Sequence, residues 1–412
     1  MNFLIIHNRY HHVSGPETYL FNLKNKLELK GHSVDIFALN YEKNYASQGS
    51  NYFPQPIGSK RKYSFKGQKL SILSKLRIIS SLFYRHEVFY KLNEFLSKKK
   101  YDGAIVLQFW GKLSPAIFEA LQKNNIPTSL RISDFGLICG SNTLLKNNRH
   151  SEECIENKFG CVQNKCVGNS YSRSLINSLA QIQFFNKYSK NINLIFTCQN
   201  TLSIFKRAGF EKNLFHLPTF YPNDFKIKES FKSKKIVFLG RVDEDKGIHK
   251  IIPLIPESDQ ITFEIWGSGH ERYIERLKNI SAKKKINNVK LMGTIDRKEI
   301  GQVFEDSIFS IIPSLWHDNL PNALIESLSN GVPVIAPRFG CFPEFIKHNH
   351  NGFLYDNLRD LKSLFGSIID LSENDIEKMS KSSSSFAKKT FSSKIHIDKL
   401  LKIITNNYEK NT

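Results

Sequence analysis

Short apolar runs alternate with longer amphipathic segments along this chain, and the alternation breaks off and restarts near residue 220. Phe3–Ile6, Val34–Leu39, Ile105–Phe109 and Thr128–Ile132 read as strands. An amphipathic helix over Glu17–Lys30, stopped by Gly31, separates the first two. Lys235–Leu239, Ile261–Trp266, Val289–Met292, Ile308–Ile312 and Val332–Ala336 repeat the rhythm, with helical segments between them. Strand, helix, strand in succession builds βαβ units, which demand a parallel sheet covered by helices. Two such runs in 412 residues predict two doubly wound, Rossmann-like α/β domains, because one core seldom grows past about 250–300 residues. The expected organisation is an N-terminal domain over 1–218, a linker over 219–233 with Pro222, a second domain over 234–385, and a helical tail over 386–412 packing back on the first domain. Joined by a hinge, two such domains would face each other across a cleft. Ligands of open α/β sheets bind beyond the carboxyl ends of the strands.

Charge narrows the partners. Lys and Arg number 59 against 38 Asp and Glu, a formal net charge of +21, which implies an anionic partner: nucleic acid, a phosphate-bearing substrate or an anionic membrane face. None of the standard nucleic-acid modules occurs, so no nucleic-acid partner is expected. Residues 60–100 hold 12 of the basic residues against Glu87 and Glu94 alone. Leu70, Ile72, Leu73, Leu76, Ile79, Leu82 and Phe83 are interleaved among them at near-helical spacing. A solvated helix face is one reading. An interfacial helix drawn to the anionic inner-membrane surface is the other, and the one adopted. No stretch approaches the ~18 apolar residues of a membrane span. The opening MNFLIIHNRYHH has only four consecutive apolar residues and no basic region before them, unlike a signal peptide. The expectation is a cytoplasmic protein, peripheral on the inner face of the cell membrane.

The chemistry concentrates in Pro313–Glu344. A strand runs into a loop, Pro321 occupies the first turn of the following helix, and Gly331 ends it. Asp318 lies in the loop and Glu326 on the helix, so both carboxylates can reach the mouth of the sheet. Gly340 follows the next strand and offers backbone N–H groups to an anion. Gly240-Arg241 ends an earlier strand, with Lys246-Gly247 close behind, and a diphosphate leaving group would be held by such an Arg fork and Lys point charge. Gly267-Ser-Gly269 forms a turn after the next strand. Ser14-Gly15-Pro16-Glu17 opens the first helix, and Arg131-Ile-Ser-Asp134 closes the fourth strand.

These residues together resemble the retaining glycosyltransferases of family four (group 1), whose fold is GT-B. Asp318 and Glu326 match the family's acidic pair with seven residues between them, Gly331-Val-Pro-Val334 its middle, and Phe339-Gly-Cys-Phe-Pro-Glu344 its glycine turn ending in Pro-Glu. Gly240-Arg241 with Lys246-Gly247, Trp266-Gly267-Ser-Gly269, and Ser14-Gly15 followed by Gly31-His-Ser-Val34 are similar to its other loops. The first acid is Asp rather than Glu, Cys341 stands where a second Gly is usual, and Ser133 replaces a common His. The resemblance implies Asp318, Arg241 and Lys246 as catalytic residues. It implies Gly15, Glu326, Gly340, Gly240, Gly267 and Asp134 as donor-binding residues. The reaction would move a sugar, with retention, from a UDP- or GDP-sugar to a hydroxyl of a lipid-linked bacterial glycan, in capsule, O-antigen or exopolysaccharide assembly. No metal or cofactor beyond the nucleotide-sugar donor would be required. A nucleotide-sugar epimerase on the same fold and a non-catalytic relative acting as a binding partner remain the alternatives.

Cys139, Cys154, Cys161 and Cys166 lie in an irregular segment, spaced by 14, 6 and 4 intervening residues. None forms the C-x2-C pair of common zinc sites. Packed free thiols and a structural zinc that staples the loop are the two readings.

Overall fold

The computed structural model describes residues 1–63, 65, 68–69, 71–146, 149–228 and 234–405, residue 149 by its backbone. Leu70 and parts of the expected linker and tail, 229–233 and 406–412, therefore lie outside the described residues. The chain divides into two units: Met1–Lys146, Ser151–Leu217 and Lys394–Thr412 form the first, and Asn147–His150 with Pro218–Ser393 the second.

In the first unit β1 (Asn2–Ile6), β2 (Ser33–Phe37), β3 (Gly103–Val106), β4 (Thr128–Ile132), β7 (Asn193–Phe196) and β8 (Leu214–His216) form one parallel sheet in the order β2-β1-β3-β4-β7-β8. The two-residue strands β5 (Leu145–Lys146) and β6 (Arg149–His150) lie outside it. In the second unit β9 (Lys234–Leu239), β10 (Ile261–Trp266), β11 (Val289–Gly293), β12 (Ser307–Ile311), β13 (Val334–Pro337) and β14 (Gly352–Tyr355) follow the order β11-β10-β9-β12-β13-β14, again all parallel. Strand order reverses between β1 and β3 in one sheet and between β9 and β12 in the other. Loops diverge there, opening the crevice in which doubly wound sheets bind ligands.

Central strands are buried on both faces and so read as continuous apolar runs. Phe3–Ile6 are fully buried, as are Ile308 and Phe309 of β12. The core of the second unit packs Ile236, Phe238, Phe263 and Ile265 of its strands against Leu361, Phe365 and Ile368 of the helix Leu358–Ile369. Strands β7, β8 and β14 were not expected from sequence. They have three or four residues each.

The tail helix Ser393–Ile404 buries Ile397, Leu400, Ile403 and Ile404. From Lys394 onward it belongs to the first unit. Ile404 lies against Gly103 of β3, where a Cβ would sit 2.1 Å from its Cγ2. The Ile403 carbonyl accepts from Asn193 Nδ2 at 2.9 Å. The described part of segment 219–233 packs within the second unit: Tyr221 bridges to Ser392, and Lys226 N donates to the Ser329 carbonyl at 2.8 Å. Among the described residues no helix is long and apolar enough to cross a membrane.

Candidate active site

Around the β9/β12 crevice, backbones pack against backbones. Gly240 N–H donates to Trp266 O at 3.0 Å, Val242 N–H to Ser268 O at 2.9 Å, and Gly267 N–H to Gly293 O at 2.7 Å. At Gly267 (φ +139°) a Cβ would lie 1.7 Å from Gly240 O. The N–H groups of Gly240 and Gly267 are thus spent inside the fold, and any contact to a donor there would come from other atoms of the turn. Gly247 (φ +72°) closes the turn Glu244–Lys246, and a Cβ on it would lie 2.2 Å from Pro313 O. Leu315 N–H donates to Asp245 O at 2.9 Å. The loop after β9 is locked onto the loop after β12.

That lock brings Lys246 to Asp318. Lys246 Nζ lies 2.9 Å from both carboxylate oxygens, and Asp318 is only 4% exposed. The ammonium also sits 5.3 Å from the centroid of the Trp316 ring. Arg241 is placed differently. Its guanidinium is exposed and held by Asp243 and, at 2.8 Å, by Asp245 of its own loop. Two residues past Asp318, buried Leu320 adopts φ +101° immediately before Pro321, a conformation that costs a branched residue about 1–3 kcal/mol and clusters at functional sites.

Glu326 sits on the helix Asn322–Ser329, half-buried. Burial pushes its carboxyl up to about 7, against an opposing pull from Arg297. Among the described residues its carboxylate has no ion-pair partner. Gly340 (φ +64°) folds its turn against the Asp318 loop, its Cβ position 3.1 Å from His317 Cα. Phe339 stacks on His317 with centroids 5.3 Å apart. The Cys341 side chain is fully buried, so the position that departs from the second glycine faces the core.

The first unit has its own crevice. Gly15 starts the helix Gly15–Leu29, where the N–H groups have no intrahelical acceptor. Beneath it Glu17 is fully buried and receives Arg9 Nε at 2.6 Å and the Ser14 N–H and hydroxyl at 2.9 and 2.7 Å. Burial pushes the Glu17 carboxyl up, but His7, Ser14 and Arg9 outweigh it and hold the group below its usual range. Burial keeps His7 neutral, with a pKa of about 4. A cavity of about 180 Å³ lies at the β1/β3 switch, lined among others by Asn8, Tyr63, Trp110, Arg131, Ser133 and Asp134. Exposed Asp134 accepts the Gly136 N–H at 2.8 Å, and Arg131 donates to Ser133 Oγ at 2.9 Å. Arg9 stacks 4.0 Å from the Tyr63 ring centroid, and Lys112 Nζ donates to Tyr63 O at 2.6 Å. Burial pulls Lys112 down to about 8.

Sequence reasoning singled out neither Arg9, Tyr63 and Lys112 nor Trp316. Their partners come from distant segments, so no spacing announces them. The Ser-x-x-Glu capping signature of Ser14 and Glu17 was the one available signal for the buried carboxylate. The four cysteines, unremarkable by spacing, converge: their sulfurs all lie within 4.8 Å of one another.

Two parallel six-stranded α/β units, each with a crevice at its switch point, define the GT-B fold class. Residues 221–390 match the family described as glycosyl transferases group 1. The amylovoran biosynthesis glycosyltransferase AmsK of Erwinia amylovora is 26% identical over 180 residues, 42% of this chain and 42% of that protein. The match thus spans less than half of either chain. Among solved structures, sucrose-phosphate synthase of Thermosynechococcus elongatus superposes with a TM-score of 0.69 at 13% identity, covering 99% of both chains. Anabaena HepE in complex with UDP-glucose gives 0.66 at 15% identity over 98% of this chain and all of that one. At these identities the likeness is one of fold.

Proposed function

We propose that the chain is a retaining glycosyltransferase of family four. It transfers a hexose-type sugar from a UDP- or GDP-sugar to a hydroxyl of a lipid-linked glycan in bacterial surface polysaccharide assembly. The observation that carries this reading is the Lys246–Asp318 pair at the β9/β12 crevice, with the Glu326 carboxylate on the next helix. The group 1 match over this unit, the AmsK relative in amylovoran biosynthesis and the UDP-glucose held by HepE support it.

In the reaction the bond between the sugar's anomeric carbon and the diphosphate breaks, and the acceptor oxygen bonds to that carbon on the same face. The acceptor's proton leaves with the departing phosphate. Negative charge grows on the diphosphate, and a preorganised ammonium stabilises it most where water is excluded. Lys246 is that ammonium. Asp318 holds it in place and offers its second lone pairs to donor-sugar hydroxyls. Glu326, when ionised, accepts the two ribose hydroxyls. Gly340 and Gly15 present backbone N–H groups at turns and helix starts. The basic helix Ile72–Phe83 exposes Ile72, Leu73, Leu76 and Ile79, which fits peripheral binding at the anionic inner face of the membrane, where a lipid-linked acceptor resides.

Calorimetric titration with UDP, GDP, ADP and dTDP tests the donor site. Binding of one nucleotide, followed by transfer from its sugars to an acceptor, is the expected result. Turnover of the donor sugar without any acceptor would point to an epimerase, and no binding by any of the four to a non-catalytic relative.

A further inference from the structure

Between β4 and the helix Tyr171–Lys187 the described residues of the segment 133–170 hold little regular structure. Its helices Glu153–Glu156 and Gly160–Gln163 have four residues each. A connector this long with so little secondary structure of its own is uncommon in a packed domain. Cys139, Cys154, Cys161 and Cys166 come from separate turns of it. Their sulfurs lie within 4.8 Å of one another, three of the residues buried and Cys166 half-buried.

A tetrahedral zinc ion with Zn–S bonds of about 2.3 Å holds its sulfurs about 3.8 Å apart, so the cluster needs to contract by about 1 Å at its widest. An iron–sulfur cluster interposes several metal and sulfide atoms and spreads its cysteines farther than these lie. The surroundings suit a thiolate: Gly140 N–H donates to Cys161 Sγ at 3.1 Å, and Ser141 Oγ lies 3.2 Å from Cys139 Sγ. Contacts of this kind orient and tune metal ligands. The close approach requires glycine, since a Cβ at Gly140 would lie 2.9 Å from Cys161 Sγ and 2.6 Å from Val167 Cγ2.

We propose that Cys139, Cys154, Cys161 and Cys166 bind one zinc ion, and that this ion fixes the β4 connector and with it one wall of the first unit's cavity. The link is direct. Cys139 N–H donates to Phe135 O at 2.8 Å, Asn142 N–H to Cys139 O at 3.1 Å, and Phe135 N–H to Asn142 O at 3.0 Å. Asp134, Gly136, Leu137 and Asn142 line the cavity. Binding displaces up to four thiol protons and involves no redox change. The ion holds structure, with all four positions filled by protein.

The test uses the full chain purified without a metal-affinity step. Elemental analysis should give about one zinc per chain. Cobalt exchanged into the site should show thiolate charge-transfer bands and the visible spectrum of a tetrahedral ion. Cys154→Ser and Cys161→Ser should each lower zinc content at least about fivefold, while Cys198→Ser leaves it unchanged. Because losing a ligand can unfold the connector, the wild type is also stripped with a chelator and refilled. Tm should fall and recover with Zn²⁺ but not with Mg²⁺, and hydrogen exchange should rise mainly within 133–170. Zinc below about 0.1 per chain in protein whose six thiols all titrate after unfolding would overturn the proposal. So would only two titratable thiols, iron with acid-labile sulfide, or zinc retained in both serine variants.

Discussion

Lys246 Nζ stands 2.9 Å from both carboxylate oxygens of Asp318, although the two residues leave the sheet on different strands. Strands β9 and β12 are neighbours only because the strand order reverses between them. The pair therefore exists at the one place in the second sheet where the loops part and a ligand can enter. With the carboxylate almost wholly buried and the ammonium nearly so, neither charge is free to wander before a ligand arrives.

The two cations of this region should separate on mutation. Lys246→Ala is expected to weaken nucleoside diphosphate binding by about 1.5–3 kcal/mol, roughly 10- to 150-fold, as for a lost charge-assisted contact. Arg241 is exposed and already shared between Asp243 and Asp245, so Arg241→Ala should cost well under about 1 kcal/mol. Calorimetry on the two single variants checks this. Equal losses would mean that Arg241 leaves its own loop to bind.

Glu326 should impose opposite pH trends on folding and on binding. Its carboxyl titrates near 7 in the folded chain against 4.5 ordinarily. The folded state thus keeps a proton that the unfolded chain releases. Stability from this group is full below 4.5 and is lost as pH rises through 7. Glu326→Gln should match the wild type near pH 4 and exceed it near pH 8 by up to about 3 kcal/mol. The ionised carboxylate is the form that accepts ribose hydroxyls. Nucleotide affinity should therefore climb between pH 6 and 8, by up to about tenfold per unit below 7, and flatten in the Gln variant. Chemical denaturation and calorimetry at matched pH supply both readings.

Two glycines should respond in opposite senses to the same substitution. Gly267→Ala would place a methyl group against Gly240 O at an unfavourable φ, and a loss of more than about 3 kcal/mol is expected. Gly366 lies within the helix Leu358–Ile369 with nothing near its Cβ position. Gly366→Ala should stabilise by about 0.5–1 kcal/mol. Urea titrations of the three proteins decide it.

Vesicle binding should depend on the exposed face of Ile72–Phe83. The wild type is expected to partition onto anionic vesicles and to leave neutral ones, with binding that weakens as salt rises. Ile72→Glu with Leu76→Glu should abolish it. Co-sedimentation that is equal on both vesicle types would remove the membrane reading.

The alternation of apolar runs made nine of the twelve sheet strands and their parallel arrangement legible, because buried parallel strands leave unbroken apolar signatures and βαβ linkage admits few arrangements; β7, β8 and β14 were not legible. The sequence pattern also singled out Lys246, Asp318 and Glu326, and the fold joins the first two across the loops after β9 and β12. What escaped was whatever depends on long-range approach. Nothing near Gly240 or Gly267 says that their N–H groups are used against Trp266 and Gly293. Nothing near Tyr63 says that it shares a site with Arg9 and Lys112. The cysteines illustrate the same limit: intervals of 14, 6 and 4 residues match no familiar ligand pattern, and only the path of the connector gathers them.

The helix Ser393–Ile404 also bears on how the chain is made. The second unit is nearly continuous in sequence, whereas the first lacks its closing segment until Lys394 onward has been synthesised. His396 then reaches Tyr19 Oη at 2.8 Å, and Ile404 settles on Gly103. The amino-terminal unit therefore cannot complete its packing ahead of the second, and its apolar seam stays uncovered throughout synthesis, unlike the usual order in which amino-terminal domains mature first.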